Sequence, residues 1–375
     1  MEPTNIKKLL LFRVPMSVCN FRCRYCYLSQ RDESFQGERP TMRYTPEQIA
    51  YALRQDRIGG ACFINICADG ETLLVQDLDK IVHALLAEGH YVEIVTNLSL
   101  TRYLEPFLQF EPQLLRHLEF KCSFHYLELK KRGLLDTFAD NVRLVWNSGA
   151  SANIEITPHD ELIPYMDEIR TFSMEHFGAL PHITIARDDR TKEIKRLTAL
   201  SVEQFTQTWS VFDSAFFDYK CRIFGVRQNG FCYAGKWSMY VDLTTGDAVP
   251  CYCGGSAANV FARPDDPFPE TPVGKCRLPH CYNGHALLTL GLIPDADAPG
   301  YGDLRDRERQ DGSHWLSDEM RAFMNTKLAD ANERLPRTRE QLLEAGQTVR
   351  SIGSFAVRKY YAIKYKKTLD KPNEP

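Results

Sequence analysis

The stretch "CNFRCRYC", which starts at Cys19, places three thiols within eight residues at the spacing C-x3-C-x2-C. Thiolates are soft ligands, suited to zinc and to iron–sulfur clusters. Zinc modules usually close their site with four nearby ligands, often as two C-x2-C pairs. No other Cys or His occurs before Cys62, so a fourth local ligand is missing. An iron–sulfur cubane takes four cysteine ligands when closed. Held by three, it keeps one iron open, and an open coordination position is where chemistry can take place. Tyr25, between the last two thiols, can lay an aromatic ring beside a ligand at that position.

A second group lies far along the chain. "WSMYVDLTTGDAVPCY" reads as a hairpin turning at "TTGD". Cys232 and Cys251 flank that hairpin as C-x13-G-x4-C, with Gly246 in the turn. Folding the hairpin back brings the two thiols together, and "CRLPHC" adds Cys276 and Cys281. Four thiols make a complete site, for a closed cluster or for zinc. Cys221 and Cys253 are left over, each open to use as a substitute ligand, a thiol hydrogen donor or neither. His280 and His285 flank the last pair and read as surroundings of the site rather than ligands. Cys62, Cys67 and Cys122 fall in apolar, strand-like runs and read as buried small hydrophobes. Clustered cysteines without a secretory signal argue for metal rather than disulfides.

The elements that must carry these groups follow from periodicity. Strand-like runs occur at 9–14, 61–67, 91–97, 118–123, 152–158 and 182–187, with helical patterns between them. "TPEQ" at Thr45 and "SVEQ" at Ser201 are helix starts with an N-cap and a Gln three residues on. Alternating strands and helices imply a parallel sheet with right-handed crossovers. Six units are too few for an eight-stranded barrel. The expected fold class is α/β, an open six-stranded parallel (β/α)6 partial barrel, with its active groups at the carboxyl ends of the strands. The cysteine loop directly follows the first strand. The expected organisation is a barrel core at 1–190, a helical linker at 191–230, a small cysteine-rich domain at 231–295, and C-terminal helices with a basic tail at 296–375. Ser317 and Thr338 are expected helix N-caps in that last part. The formal net charge of −3 argues against nucleic acid or anionic membrane as a partner. No apolar run is long enough to span a bilayer, and no cleavable signal is evident, so the expected location is cytoplasmic.

Cys19, Cys23 and Cys26, with Tyr25, resemble the C-x3-C-x-aromatic-C signature of the radical S-adenosylmethionine (radical SAM) superfamily, whose core is a six-stranded partial barrel. The resemblance implies a [4Fe–4S] cluster whose open iron is chelated by S-adenosylmethionine. Reduction then yields a 5′-deoxyadenosyl radical that removes a hydrogen atom from substrate. "ADGETLL" after the second strand is similar to the family's G-G-E-P segment, with Asp69 in place of the first Gly and Thr72 in place of the Pro. It implies Asp69, Gly70 and Glu71 at the cofactor's amino group. "VTNLS" and "KCSFH" resemble later family segments and imply Asn97 and Ser123 as cofactor contacts, with Arg132 beyond them. Cys232, Cys251, Cys276 and Cys281 resemble a shortened SPASM or twitch domain with one auxiliary [4Fe–4S] cluster.

The function this implies is hydrogen abstraction from a carbohydrate or small polar substrate, giving oxidation or epimerisation, with the auxiliary cluster accepting an electron. A flavodoxin- or ferredoxin-type protein would supply the reducing electron. The first strand begins at Leu9, leaving no leader-binding domain before it, which favours a small substrate over a peptide. A peptide- or protein-modifying enzyme is the alternative. A non-enzymatic iron–sulfur or zinc-binding interaction protein is the second, with the tail "RKYYAIKYKK" as its polyanion-binding candidate. No acid or base is assigned.

Overall fold

The computed structural model describes residues 4–30, 38–190 and 193–347. The basic tail lies outside them. Six strands form where the sequence alternation places them: β1 (Lys8–Val14), β2 (Cys62–Ala68), β3 (Tyr91–Thr96), β4 (Leu118–Ser123), β5 (Ser151–Ile156) and β6 (His182–Ile183). They lie side by side in chain order, and each neighbouring pair is parallel. Helical segments connect them, as parallel neighbours require. The α/β partial barrel expected from the sequence is therefore the fold, and helices follow at the C-terminal end.

The two faces of this sheet differ in chemistry. Leu10, Phe12, Ile64, Ile66, Val92, Ile94, Phe120 and Ile154 point into one apolar core with Ile81, Val82, Leu85, Phe138 and Val142 of the helices. The alternate residues face inward and are mixed: Leu9, Leu11, Phe63 and Tyr91 pack against the C-terminal part of the chain. Tyr91 stacks on Phe323 with ring centroids 3.6 Å apart. Farther along the same strands the inward residues become Asn65, Glu93, Glu119, Lys121, Asn153 and Glu155. Arg305, at the end of the helix Tyr301–Arg305, enters this polar interior and is fully buried. It donates to Glu155 at 2.7 Å and to Asn153.

Beyond β6 the chain departs from the expected strand 182–187. Thr184 still donates its N–H to Ile156 at 3.0 Å. The charged residues that follow then leave the sheet, whose outer side offers only an apolar layer. Arg187–Asp188 (β7) pairs instead with Lys195–Arg196 (β8) in a separate antiparallel hairpin.

The cysteine-rich segment contains the hairpin read from the sequence. β9 (Ser238–Asp242) and β10 (Asp247–Val249) are antiparallel, and Gly246 turns the chain at φ 79°. That left-handed backbone is open to glycine at no steric cost. The sequence did not reveal where the hairpin goes. β9 runs parallel beside β1, with Leu11 opposite Tyr240. With β11 (Ala258–Asn259) it extends the barrel sheet to nine strands in the order β11-β10-β9-β1-β2-β3-β4-β5-β6.

Helix starts at Thr45 and Ser201 carry complete capping boxes, through Gln48 and Gln204. Ser317 caps the helix Asp318–Asn325. Thr338 is not a cap: it lies inside helical residues 337–347, whose first turn bonds to the carbonyl of Pro336.

Candidate active site

A cavity of about 370 Å³ opens at the carboxyl ends of the strands. Cys19, Cys23, Tyr25 and Cys26 form one part of its wall. They sit on the loop leaving β1, the loop that the sequence places at this rim. Phe21 donates its backbone N–H to Cys19 Sγ at 3.4 Å, a contact that favours thiolate. Burial pushes the thiols upward, Cys19 to about 11 and Cys23 to about 12. Burial disfavours bare thiolates here, and a soft cationic group that replaced the protons would offset that cost, so the donor set suits such a group. Three thiols on one wall with open space beyond fit a cubane cluster holding a further ligand.

Tyr25 occupies the corner of this wall. Its hydroxyl is 2.5 Å from His125 Nδ1, and its ring lies 4.2 Å from that of His159. Burial lowers His125 to about 4, so it is neutral and accepts or donates as its tautomer allows.

Asp69 also faces the cavity, gripped by the Arg13 guanidinium through both carboxylate oxygens. The other residues of the expected cofactor set stand one layer back, against the cysteine loop. Gly70 passes so close to the loop that a Cβ would lie 2.1 Å from the carbonyl oxygen of Val18. That contact allows Glu71 N–H to bond to Val18 at 2.9 Å. The Glu71 carboxylate is buried and fully engaged: it accepts from Leu73 N–H at 3.0 Å, Asn97 N–H at 2.9 Å and Thr96 Oγ1. Asn97 donates to Asn20 at 2.8 Å, and Asn20 donates to Ser99 at 2.8 Å. Arg132 holds Glu128 at 3.1 Å and places its guanidinium 5.3 Å from the ring of Phe21. Ser123 ends β4 opposite Glu155. None of Gly70, Glu71, Asn97, Ser123 and Arg132 lines the cavity. For Gly70, Glu71, Asn97 and Arg132 the geometry is that of a brace for the loop.

Several cavity residues escaped the sequence reading. Glu155, Thr157, Thr184 and Lys220 line its inner end with Asn283 and His285. Lys220 donates to Thr184 Oγ1. Burial works against the charge of Glu155, but Lys121, Arg305 and Lys220 together hold it well below the usual carboxylate range. Burial pushes Lys220 down to about 7; Glu155 opposes this and Lys121, Arg187 and Arg305 add to it. The signal available in the sequence was the polar residue at alternate positions of β4 and β5, unusual inside a barrel. Cys67 belongs here too: it lies on the inward phase of β2 and lines the cavity, whereas Cys62 and Cys122 are fully buried.

The cavity ends at the second cysteine group. Tyr252 and Tyr282 line it and also line a small apolar cavity behind it, bounded by Cys232, Cys251, Cys253, Cys276 and Cys281. The four thiols chosen from the sequence do come together, and Cys253 joins them. Cys221, on the helix Ala215–Ile223, does not. Among the described residues no group of three Cys, His, Asp or Glu has the spacing of a single-ion site. None of the described helices is long and apolar enough to cross a membrane.

Residues 14–118, which contain the cysteine loop and the strands β2 and β3, match the model of the Radical SAM superfamily. Among solved structures, the chain is similar to SuiB of Streptococcus suis bound to S-adenosylmethionine, with 14% identity and a TM-score of 0.47 over 69% of this chain and 62% of that one. It is similar to anSMEcpe with bound AdoMet at 14% identity and a TM-score of 0.46, over 68% of this chain and 75% of that one. BtrN in complex with AdoMet and 2-DOIA aligns at 15% identity and a TM-score of 0.34, over 67% and 74%. This chain thus spans less than two thirds of the length of SuiB. No curated protein matches the sequence.

Proposed function

We propose that this protein is a radical SAM enzyme that abstracts hydrogen from a small polar substrate bound between two cysteine sites. The observation that carries the reading is the single cavity that begins at Cys19, Cys23 and Cys26 and ends at the tyrosines covering the second thiol group. Cys19, Cys23 and Cys26 would hold a [4Fe–4S] cluster with S-adenosylmethionine on its open iron, and the pair, when reduced, supplies a 5′-deoxyadenosyl radical able to break a C–H bond.

The chain's own residues would do the rest. Asp69, fixed by Arg13, offers a carboxylate edge to the cofactor's ammonium. Tyr25 walls the cofactor on one side. Gly70, Glu71, Asn97 and Arg132 hold the cysteine loop in place. Ser123, beside the loop that bears His125, would help to shape the far side. At the inner end Glu155, Lys220, Thr184 and Asn283 present donors and acceptors suited to hydroxyl or amine groups of a carbohydrate-like substrate. The second thiol group would hold an auxiliary cluster, placed to accept the electron that an oxidised product must lose. A flavodoxin- or ferredoxin-type donor would reduce the first site. The barrel at 1–190, the linker at 191–230, the cysteine-rich part at 231–295 and the C-terminal part at 296–375 are the proposed units, with β9 binding the third to the first.

Anaerobically reconstituted protein, reduced with dithionite and given S-adenosylmethionine, is expected to release 5′-deoxyadenosine and methionine, measured by mass spectrometry. Replacing Cys19, Cys23 and Cys26 by Ala is expected to abolish the release. Its absence from fully reconstituted, reduced protein would defeat the proposal and favour a binding role.

A further inference from the structure

The charges at the inner end of the large cavity do not balance. Glu155 is the carboxylate there, and it is already shared: Arg305 donates to it at 2.7 Å and Lys121 stands 3.8 Å away. Lys220 reaches the same end from the helix Ala215–Ile223. Its ammonium donates to Thr184 Oγ1 and forms no ion pair among the described residues. Arg187 also lines the cavity. Its guanidinium donates to the carbonyl of Tyr282 at 3.3 Å, and it too forms no ion pair among the described residues. The other carboxylates on the wall belong to the cysteine end. Asp69 is held by Arg13. Asp189 bonds through its N–H to Gln30 at 3.0 Å, and Gln30 donates to the carbonyl of Tyr25 at 2.9 Å.

Neutral donors with capacity to spare stand at the same end. Asn283 and His285, at the start of the helix Gly284–Leu287, line it, and neither side chain hydrogen-bonds to another described residue. The Thr184 hydroxyl accepts from Lys220, so its own proton is directed elsewhere. Burial keeps His285 neutral, with one N–H to offer. Burial also lowers the Lys220 amine to about 7, and an anion beside it would restore the charge. An ammonium, an amide and a hydroxyl facing open space match a group rich in negative charge and acceptor oxygens. A substrate amine would instead meet Lys220 and Arg187 as like charges.

We propose that the substrate carries an oxyanion, a carboxylate or a phosphate, and that Lys220 holds it, with Asn283 and Thr184 as neutral donors and Arg187 adding positive charge to the cavity wall. This rests on the reading of the cavity as the substrate site. Lys220 is then a specificity-determining residue, selecting an acidic sugar or similar small acid over a neutral or amino sugar.

The test is lysine footprinting of the reconstituted full chain with N-hydroxysuccinimide acetate, read by mass spectrometry of the peptide bearing Lys220. Glucuronate, glucose 6-phosphate, glucose and glucosamine are the probes, and exposed Lys131 is the reference. Glucuronate or glucose 6-phosphate is expected to slow acetylation of Lys220 several-fold and to leave Lys131 unchanged, with little effect from glucose or glucosamine. The acid that protects at the lower concentration distinguishes carboxylate from phosphate. Protection by neither acid, or equal protection by glucose or glucosamine, overturns the proposal. Calorimetry of two variants separates charge from packing. Lys220→Arg is expected to keep the preference for acid over glucose and Lys220→Gln to lose it; an unchanged preference in Lys220→Gln overturns the proposal too. Release of 5′-deoxyadenosine by the unmodified chain tests the radical reading separately. Protection without release defeats that reading and leaves the anion site, and release without protection does the reverse.

Discussion

Arg305 and Glu155 meet at 2.7 Å across 150 residues of chain, a helix near the C-terminal end reaching into the barrel to the inner face of β5. Arg305 is fully buried and Glu155 nearly so, so bulk water screens this pair little. Removing one partner of such a pair strands the other. Arg305→Met is therefore expected to cost about 3–5 kcal/mol, read from chemical denaturation. The pH dependence has a definite sign. Glu155 is held well below its unfolded value, so its ionisation contributes stability above about pH 4, and this is lost as acid protonates it. The stability of the wild type is expected to fall faster between pH 5 and pH 3 than that of Glu155→Gln. Parallel curves would remove Glu155 from the account of acid stability.

Gly70→Ala is expected to damage the cysteine loop directly. The new Cβ would lie 2.1 Å from Val18 O and 2.7 Å from Val18 C, both backbone atoms that no rotamer change can move. Val18 precedes the first thiol. The expected outcome is a lower melting temperature and loss of about four irons per chain, measured together after reconstitution. Gly346→Ala, at a site with nothing within 4 Å, serves as the control.

Lys220→Met is expected to reveal a pH trend of the same sign as that of Glu155, in a more alkaline window. Burial lowers the Lys220 amine to about 7, far below its unfolded value of about 10.4. Between these values the unfolded chain binds the extra proton, so stability gained from this group rises with pH through that window. The variant is expected to gain most over wild type at pH 7 and below, and the gain is expected to shrink toward pH 10. A gain that stays constant across this range would show that the amine is not shifted. Reductive methylation with carbon-13 formaldehyde, followed by NMR titration, reads the same value directly.

Glu71 gives a graded test of the brace. Its carboxylate serves three donors, from Leu73, Thr96 and Asn97. Glu71→Ala leaves them buried and unmet, at about 1–3 kcal/mol each. Glu71→Gln keeps one acceptor oxygen and is expected to cost less. Equal urea midpoints for the two variants would exclude this hydrogen-bonding role.

Sequence by itself determined the six parallel strands of the barrel, the helix starts at Thr45 and Ser201, and the place of the Cys19–Cys26 loop at the end of the first strand. These rest on local rules: periodicity, capping and ligand spacing act within a few residues, and each leaves a mark in the chain. It also found the hairpin at Gly246, because only a turn there reconciles the two short strands. Tertiary structure alone decided the rest. The pairing of β9 with β1 joins segments more than 200 residues apart, and backbone hydrogen bonds carry no sequence label for their partner. The short β6 and the separate β7–β8 hairpin depend on which apolar layer is available to cover each side chain. The polar inner end of the cavity is assembled from β5 and the residue after it, the loop after β6 and two later helical segments, each contributing one or two residues that look ordinary in place. Cys253 is the clearest case. Spacing put Cys251 in the ligand set and left Cys253 over, and only the folded chain brings both thiols to one cavity.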